Sequence, residues 1–425
     1  MQRILLTTLC TSLALTSTSA MADDLPSREE MWKMIQMQQK QIEALTKQSQ
    51  QQNQKLVQTE AKVEATQTKV EKTAKQVQST EKQMADLKPA AGSGSAVGTN
   101  GWWNRTSLGG YGEIHANKGS SIDEVDFHRF ILYVGHEFNE DIRLFSEIEV
   151  EHADEIFLEQ AYLEFDIGEQ HAAKVGAFLM PVGILNEVHE PTTFYGVERN
   201  PIETNIIPST WREAGVLFSG RNQSGFSYDL GLHSGLNNNL STPSNYRPRS
   251  GRGKISDQEF EDGAATARVK YTGMPGVSVA AVAHYQQDTD QGQGVDTADA
   301  TLFEANMDIK KGPFGLRALA ARWDINGTGA AALGRDEQYG FYVEPSYKFP
   351  LPDGYGDAGV FTRYNQYDNS AGNSADTKVQ QIDVGLNYWP HENVVLKADV
   401  AFIDNGSGLG RADDEIFNFG AGFVF

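Results

Sequence analysis

The chain has 425 residues, one cysteine and a formal net charge of −21 at pH 7. Residues 1–100 are almost neutral and residues 101–425 carry a balance of −23, which disfavours nucleic-acid binding. The single thiol, Cys10, lies inside an expected signal peptide, so thiolate metal sites and cysteine nucleophiles are excluded from the mature chain.

The first predicted element is a secretory signal peptide over residues 1–22. Arg3 is followed by the apolar run Ile4–Leu15 and by small residues that end in the A-x-A pattern at Ala20 to Ala22. No later stretch reaches the roughly 18 to 20 apolar residues that a membrane-spanning helix needs. An exported chain of this kind is predicted to be periplasmic, secreted or an outer-membrane barrel.

Residues 23–88 repeat aliphatic positions every seven residues, as at Val63 and Val70. A strict seven-residue repeat predicts a left-handed coiled coil, here a periplasmic one, with two or three strands. A solvated single helix or a disordered spacer is the alternative. Residues 89–106 begin with Pro89 and are rich in Gly and Ser, which predicts a flexible linker.

Residues 107–425 change to a period of two. The stretch "QIDVGLNYW" sets Ile382, Val384 and Leu386 against Asp383 and Asn387. Similar segments of about ten residues recur between Gly, Asn, Asp and Pro turns, which predicts an all-β transmembrane barrel of about 16 antiparallel strands. A soluble sandwich would give the same alternation in any one strand, but aromatic residues collect at the strand ends, as they do at membrane interfaces.

Sixteen segments fit this pattern. Their predicted starts lie near Leu108, Val125, Asp141, Ile156, Ala172, Glu213, Phe226, Ala264, Val277, Thr301, Phe314, Gln338, Ala358, Gln380, Val394 and Glu415.

The last segment, "EIFNFGAGFVF", is amphipathic and ends the sequence on Phe425. A terminal aromatic residue on such a strand resembles the assembly signal of outer-membrane proteins. This resemblance implies that Phe425 is read by the barrel-assembly machinery.

The polar face of the barrel would line a lumen. Its basic members are candidate pore-lining residues, since rings of Arg and Lys favour anions. They are Arg129, Arg143, Lys174, Arg268, Lys270, Arg317, Arg363 and Lys397. Acidic residues share this face, and the alternative is that these charges pair across strands and only hydrate the wall.

A long connection, residues 179–211, separates two predicted strands. It is a candidate constriction loop that folds inward and narrows the pore. An extracellular cap or a trimer latch is the alternative. Its candidate residues are Glu187, His189, Glu190, Tyr195 and Arg199.

The same region resembles the phosphate-selective porin O/P family. The similarity follows "FHRFILYVGHEFNEDIRLFSEIEVE", "QAYLEFDIGEQHAAKVGAFLMPVG" and "TWREAGVLFSG", between about Leu108 and Arg221. The N-terminal repeat is similar to the coiled coil of DcaP-like trimeric porins. These resemblances imply a sixteen-stranded homotrimer that passes anions such as phosphate or dicarboxylates, although sparse basic residues depart from the phosphate-specific members.

The sequence therefore predicts a porin of the Gram-negative outer membrane, in contact with lipid and lipopolysaccharide, for diffusion of small hydrophilic solutes. A structural tether that grips peptidoglycan through the coil is the alternative. An outer-membrane enzyme is more remote, because the nine histidines are scattered and no H-E-x-x-H or G-x-S-x-G is present. No catalytic residue, cofactor or metal site is predicted.

Overall fold

A computed structural model describes residues 102–256, 258–293 and 297–425, together with Trp32, Gln36, Gln39 and Lys47, which are helical. The predicted signal peptide, coiled coil and most of the linker otherwise lie outside the described residues. In the part of the chain that is described, no helix is both long and apolar enough to cross a membrane.

Sixteen antiparallel strands form a closed barrel in which each strand pairs with its sequence neighbours and β16 returns to β1. The strands are β1 (Thr106–Lys118), β2 (Asp123–Glu137), β3 (Ile142–Glu151), β4 (Glu155–Ile167), β5 (His171–Leu179), β6 (Arg212–Arg221), β7 (Phe226–His233), β8 (Ala264–Tyr271), β9 (Val277–Gln286), β10 (Asp299–Lys311), β11 (Phe314–Asn326), β12 (Glu337–Pro350), β13 (Asp357–Asp368), β14 (Val379–His391), β15 (Val394–Asn405) and β16 (Asp414–Val424). The predicted barrel and its strand count are confirmed, and each predicted start lies within two residues of the observed one.

Short helical segments occur only outside these strands in the described ranges. Two α-helices are α1 (Ile202–Asn205) and α2 (Thr328–Ala332), and five 3-10 helices span Trp102–Arg105, Pro243–Tyr246, Pro248–Gly251, Pro352–Gly354 and Ser407–Leu409.

The two faces of the wall differ as the alternation predicts. On β14, Ile382, Val384 and Leu386 are exposed on the outer face, whereas Asp383 and Asn387 are buried on the inner face. An apolar outer face matches a lipid environment and leaves the polar side chains to the lumen.

The seam of the barrel is closed by pairing of β1 with β16, from Tyr111 with Val424 to Lys118 with Phe417, and Phe425 extends this ladder. Phe425 donates its backbone N–H to the carbonyl of Gly110 (2.8 Å), and Gly110 donates back to the Phe425 carbonyl (3.0 Å). The Phe425 ring stacks on Phe130, with ring centroids 5.9 Å apart. The terminal residue therefore completes the β1–β16 ladder and adds an apolar contact to the next strand.

The connections at the two ends of the barrel differ in length. Connections after even-numbered strands are short, whereas those after odd-numbered strands include the long segments 180–211 and 234–263. In barrels of this kind the short turns face the periplasm and the long loops face outward. We call these the turn side and the loop side.

Candidate functional site in the barrel lumen

The loop of residues 180–211, which joins β5 to β6, lies across the lumen. It contacts side chains from at least ten strands, including Asn117 on β1, Arg268 on β8, Trp323 on β11 and Asp399 on β15. A loop held from so many directions has little freedom to swing out to the loop side. The remaining space in the lumen is therefore shaped by this loop as much as by the wall.

The last part of the loop, residues 202–211, packs through apolar side chains, and we call it the foot of the loop. Ile202, Ile206, Ile207 and Trp211 are fully buried in a cluster with side chains of β9 to β12. The indole Nε1 of Trp323 donates a hydrogen bond to the Ile206 carbonyl (2.9 Å). Burial of large aliphatic side chains is the dominant force that fixes one end of the loop to this part of the wall.

A buried carboxylate organises the same foot. Glu203 accepts backbone N–H bonds from Ile184 (2.5 Å) and Leu185 (2.6 Å) and an amide bond from Asn200 (2.8 Å). The hydroxyl of Tyr342, on β12, lies 3.3 Å from Glu203. These bonds satisfy a carboxylate that would otherwise be costly to bury.

The tip of the loop, Thr192–Val197, is held by polar side chains of the wall. The backbone carbonyls of Thr192 to Tyr195 accept hydrogen bonds in turn from Trp389 (3.3 Å), Arg317 (3.0 Å), Asn387 (3.1 Å) and Arg363 (3.4 Å). The Val197 N–H donates to Asp399 (2.7 Å). Side chains from β11 to β15 thus replace the partners that a strand or helix would give this backbone.

Several inward-facing wall glycines, among them Gly422 and Gly340, make room for the loop. A Cβ added at Gly422 would lie 2.3 Å from the Cβ of Pro191, and one at Gly340 would lie 2.9 Å from Cγ1 of Ile206. Side chains at these positions would displace the loop. The absence of a side chain is therefore part of the docking surface.

His189 and Arg129 tie the middle of the loop to β1, β2 and β4. His189 Nε2 lies 2.8 Å from the Tyr111 hydroxyl and 3.1 Å from Glu159. Arg129 donates to the His189 carbonyl (2.7 Å) and to Glu113 (2.7 Å). Arg129 is almost fully buried, so its guanidinium holds the loop in place and offers little surface to a passing solute.

Two cavities that are lined by described residues lie in the lumen, one toward each end of the barrel. The turn-side cavity has a volume of about 540 Å³ and reaches the β10–β11 turn at Gly312. The loop-side cavity has a volume of about 450 Å³ and reaches Ile122 and His152 in the connections after β1 and β3. Phe194, at the tip of the loop, lines both. Its ring is buried, with Lys397 Nζ 3.5 Å from the ring centre.

The turn-side cavity has an excess of basic groups. Asp308 and Glu344 are its wall carboxylates and Glu187 comes from the loop. Five basic side chains share the lining: Arg268, Lys270, Lys310, Arg317 and Lys348.

A group of three arginines, Arg199, Arg249 and Arg252, lies on one side of the loop-side cavity. Their hydrogen bonds go to hydroxyl or carbonyl oxygens, as in Arg199 to Thr210 Oγ1 (2.9 Å), and none forms an ion pair with a described residue. The buried Nε atoms of Arg199 and Arg252 have no hydrogen-bond partner among the described groups. We call these three residues the arginine cluster.

Burial and neighbouring guanidinium groups lower the pKa values of this cluster. Burial and the nearby guanidinium groups of Arg249 and Arg199 lower the pKa of Arg252. Burial and Arg247 lower the pKa of Arg249. Guanidinium groups still remain charged at neutral pH, so the cluster is a local site of positive potential. An anion in the cavity would relieve the repulsion between these groups.

Carboxylates also line the loop-side cavity. Two of them are paired with wall arginines, Glu113 with Arg129 and Asp383 with Arg363. The other six are Glu124, Asp126, Glu149, Glu151, Glu198 and Asp399. The lining of this cavity is therefore mixed in charge.

Eight of the candidate residues named from sequence line the two cavities. Arg268, Lys270, Arg317, Glu187 and Tyr195 line the turn-side cavity. Arg129, Arg363 and Arg199 line the loop-side cavity.

The other candidate residues line neither of these two cavities. Arg143 pairs with Glu164 and Asp166 near the turn end of the wall, and Lys174 lies over the Tyr162 ring. The remaining members, which pack between loop and wall, are His189, Glu190 and Lys397.

Sequence reasoning missed Arg249 and Arg252, which lie in the loop 234–263. Their segment, "RPRSGRGK", is the densest basic stretch of the barrel region, and that density was the available signal. What the sequence could not indicate is that this stretch folds against residues 204–210 of the preceding loop.

Comparisons with known proteins agree with this architecture. The model of the family described as phosphate-selective porin O and P matches residues 109–408. An uncharacterized protein of Aquifex aeolicus (strain VF5) is 28% identical, and the match covers 80% of this chain and 84% of that protein.

Solved structures share the fold at low identity. The anion-selective porin from Comamonas acidovorans has a TM-score of 0.53 at 13% identity, and the match covers 75% of this chain and 99% of that one. The outer membrane channel DcaP of Acinetobacter baumannii has a TM-score of 0.50 at 16% identity, with coverage of 75% and 97%. OmpT of Vibrio cholerae in its trimer form has a TM-score of 0.51 at 11% identity, with coverage of 75% and 99%. Because the family model spans more than two thirds of the sequence, this chain belongs to the phosphate-selective porin O and P family of outer-membrane channels.

Proposed function

We propose that the barrel is a water-filled channel for the diffusion of small hydrophilic solutes that carry a carboxylate or phosphate group. The observation that carries this proposal is the arginine cluster, because its guanidinium groups line a cavity in the lumen and form no ion pair with a described residue. Arg side chains bind planar and tetrahedral oxyanions by charge-assisted hydrogen bonds.

The two cavities give such a solute a route through the protein. On the loop side the solute meets the arginine cluster, and on the turn side it meets the basic excess around Arg268, Lys270 and Arg317. Between them the tip of the loop forms the constriction at Phe194. The arginine cluster and the five basic side chains of the turn-side cavity would favour anions, against the carboxylates that also line both cavities.

We propose a homotrimer in the outer membrane, surrounded by lipid and lipopolysaccharide and assembled by the barrel-assembly machinery. The trimer form of the structurally similar OmpT supports this arrangement. Residues 23–88 would be a periplasmic coiled coil with peptidoglycan as a candidate contact, as their heptad repeat favours. No observation on the described residues favours the tether as a separate function, and we do not propose it.

The test is the zero-current potential of the purified full-length protein in planar bilayers under a KCl gradient. We expect the wild-type zero-current potential to have the sign of a channel that prefers chloride over potassium. Replacement of Arg199, Arg249 and Arg252 by Gln should shift this potential toward cation preference. Arg411→Gln, an exposed arginine in another loop, should leave it unchanged.

A cation-selective wild-type channel, or an unchanged potential in the triple variant, would contradict the proposed anion preference. Addition of millimolar phosphate or succinate separates the two solute classes, since the solute that binds in the lumen reduces the chloride current more strongly.

A further inference from the structure

Two histidines and one carboxylate converge at the rim of the loop-side cavity. His152 Nδ1 lies 2.8 Å from Asp126 Oδ2, and His128 Nδ1 lies 3.3 Å from the same oxygen. One possible ligand atom of each residue lies within 4.8 Å of the others. All three side chains line the cavity. We call Asp126, His128 and His152 the histidine site.

A β-bulge brings His128 to the lumen. The pairing of β1 with β2 is regular up to Glu113 with Arg129, then shifts so that His115 pairs with Asp126. The extra residue in β2 allows His128 and its neighbour Arg129 both to line the same cavity. Bulges re-aim side chains in this way and are frequent beside functional sites.

His152 is held in an unfavourable backbone conformation. It has φ 52° and is followed by Ala153 with φ 62°, so two successive residues other than glycine occupy the left-handed region. Glycine would adopt this conformation easily. The backbone N–H of His152 also donates to the His128 carbonyl (3.2 Å), which fixes the two residues against each other. This turn therefore keeps an imidazole where another residue type would be easier to accommodate.

The spacing suits a transition metal. Zn²⁺ binds histidine nitrogen and carboxylate oxygen at about 2.0 to 2.2 Å, so neighbouring ligand atoms of a tetrahedral site lie about 3.3 Å apart. The distance of 3.3 Å from Asp126 to His128 matches this value, and the distance of 2.8 Å from Asp126 to His152 is shorter. Imidazole ligands favour zinc, copper and nickel, whereas Mg²⁺ and Ca²⁺ prefer sites made of oxygen alone.

His115 supports the site but is not available as a ligand. Its ring stacks on His128, with centroids 4.6 Å apart. Both of its nitrogens already face carboxylates, Glu113 at 3.2 Å and Glu198 at 2.9 Å. Three protein ligands would leave one metal position open toward the cavity, for water or for an anionic group of a solute.

We propose that Asp126, His128 and His152 bind one divalent transition-metal ion of the Zn²⁺ class at the loop-side end of the lumen. This site goes beyond the proposed channel function and does not depend on it, because metal binding can be measured whether or not the barrel conducts.

The test is titration of ZnCl₂ into the detergent-solubilised full-length protein, followed by calorimetry. We expect about one Zn²⁺ per chain, and an association constant at least tenfold lower in His128→Ala, in His152→Gly and in Asp126→Asn. Glycine suits the positive φ at position 152, so His152→Gly removes the ligand without adding backbone strain. His391→Ala, on the turn side, is the matched control and should bind as the wild type does.

Equal zinc binding by the wild type and by the His128→Ala, His152→Gly double variant would overturn the proposal. Equally strong binding of Mg²⁺ by the wild type would overturn the assignment to a transition metal. Every variant is first checked for the heat-modifiable gel mobility of a folded barrel. A protein that conducts but binds no zinc would contradict the proposed metal site and would leave the proposed channel function unaffected.

Discussion

The backbone N–H of Val197 donates a hydrogen bond of 2.7 Å to the carboxylate of Asp399. This bond joins the tip of the loop 180–211 to β15. Val197 and Asp399 are far apart in sequence. Asp399 also accepts from the amide of Asn418 on β16 (2.7 Å), which holds the carboxylate in position. The carboxylate therefore holds the tip of the loop against the wall.

Replacement of Asp399 should weaken the docking of the loop tip to the wall. In Asp399→Ala the buried Val197 N–H loses its acceptor, at a cost of about 1–3 kcal/mol to loop docking. We expect greater open-channel current noise in planar bilayers, with partial recovery in Asp399→Asn, which keeps an acceptor oxygen. Asp404→Ala, exposed on the same strand, is the control. Noise equal to that of the wild type in Asp399→Ala would show that this bond does not restrain the loop.

Phe194 should set the narrowest part of the path. Its ring lines both cavities and packs under Lys397, so Phe194→Ala is expected to join the two spaces and raise the single-channel conductance. Phe303→Ala removes a ring of the same size from the exposed outer face and should leave conductance unchanged. If the two variants conduct alike, the constriction lies elsewhere.

The apolar foot should decide whether the loop stays docked. Ile206→Ala removes a fully buried side chain and is expected to weaken docking by about 2–5 kcal/mol. Arg199 offers the single trypsin site of the loop, and the rate of cleavage there should rise by about thirtyfold or more if cleavage follows local opening.

Val188→Ala is the matched control for this experiment, because Val188 lies in the same loop but is half exposed. Its effect should stay within about 0.5 kcal/mol. Equal cleavage rates in both variants would mean that the foot does not hold the loop.

The terminal aromatic residue should matter for assembly. Deletion of Phe425 removes two backbone hydrogen bonds to Gly110 and the stacking contact with Phe130. We expect a lower yield of heat-modifiable barrel in the outer membrane, while Phe425→Trp keeps an aromatic terminus and folds. Phe402→Ala, on the exposed outer face, controls for the loss of an aromatic ring. A normal yield of folded barrel after the deletion would show that Phe425 is not part of the assembly signal.

The barrel could be predicted from sequence because its signal is local. Each strand carries its own alternation, as Ile382 and Asp383 do on β14, and each turn is marked by short polar segments. Strand number then follows by counting, and antiparallel order follows from the short connections.

The partners of the lumen charges could not be predicted in the same way. Arg129 and Lys397 stand at inward positions, but the loop 180–211 covers both, through the carbonyl of His189 and the ring of Phe194. Such contacts depend on how a distant segment returns to the wall. For the same reason no metal site was predicted, since His128 and His152 meet only through the pairing of β2 with β3 and a left-handed turn.

The measurement that tests the account most directly is the current through single molecules of the full-length protein in a planar bilayer with KCl on both sides. We predict discrete conductance steps, grouped in threes if the homotrimer forms, and larger steps for Phe194→Ala. Folded, heat-modifiable protein that inserts into the bilayer but gives no steps, in the wild type and in Phe194→Ala alike, would contradict the conclusion that this barrel is a channel.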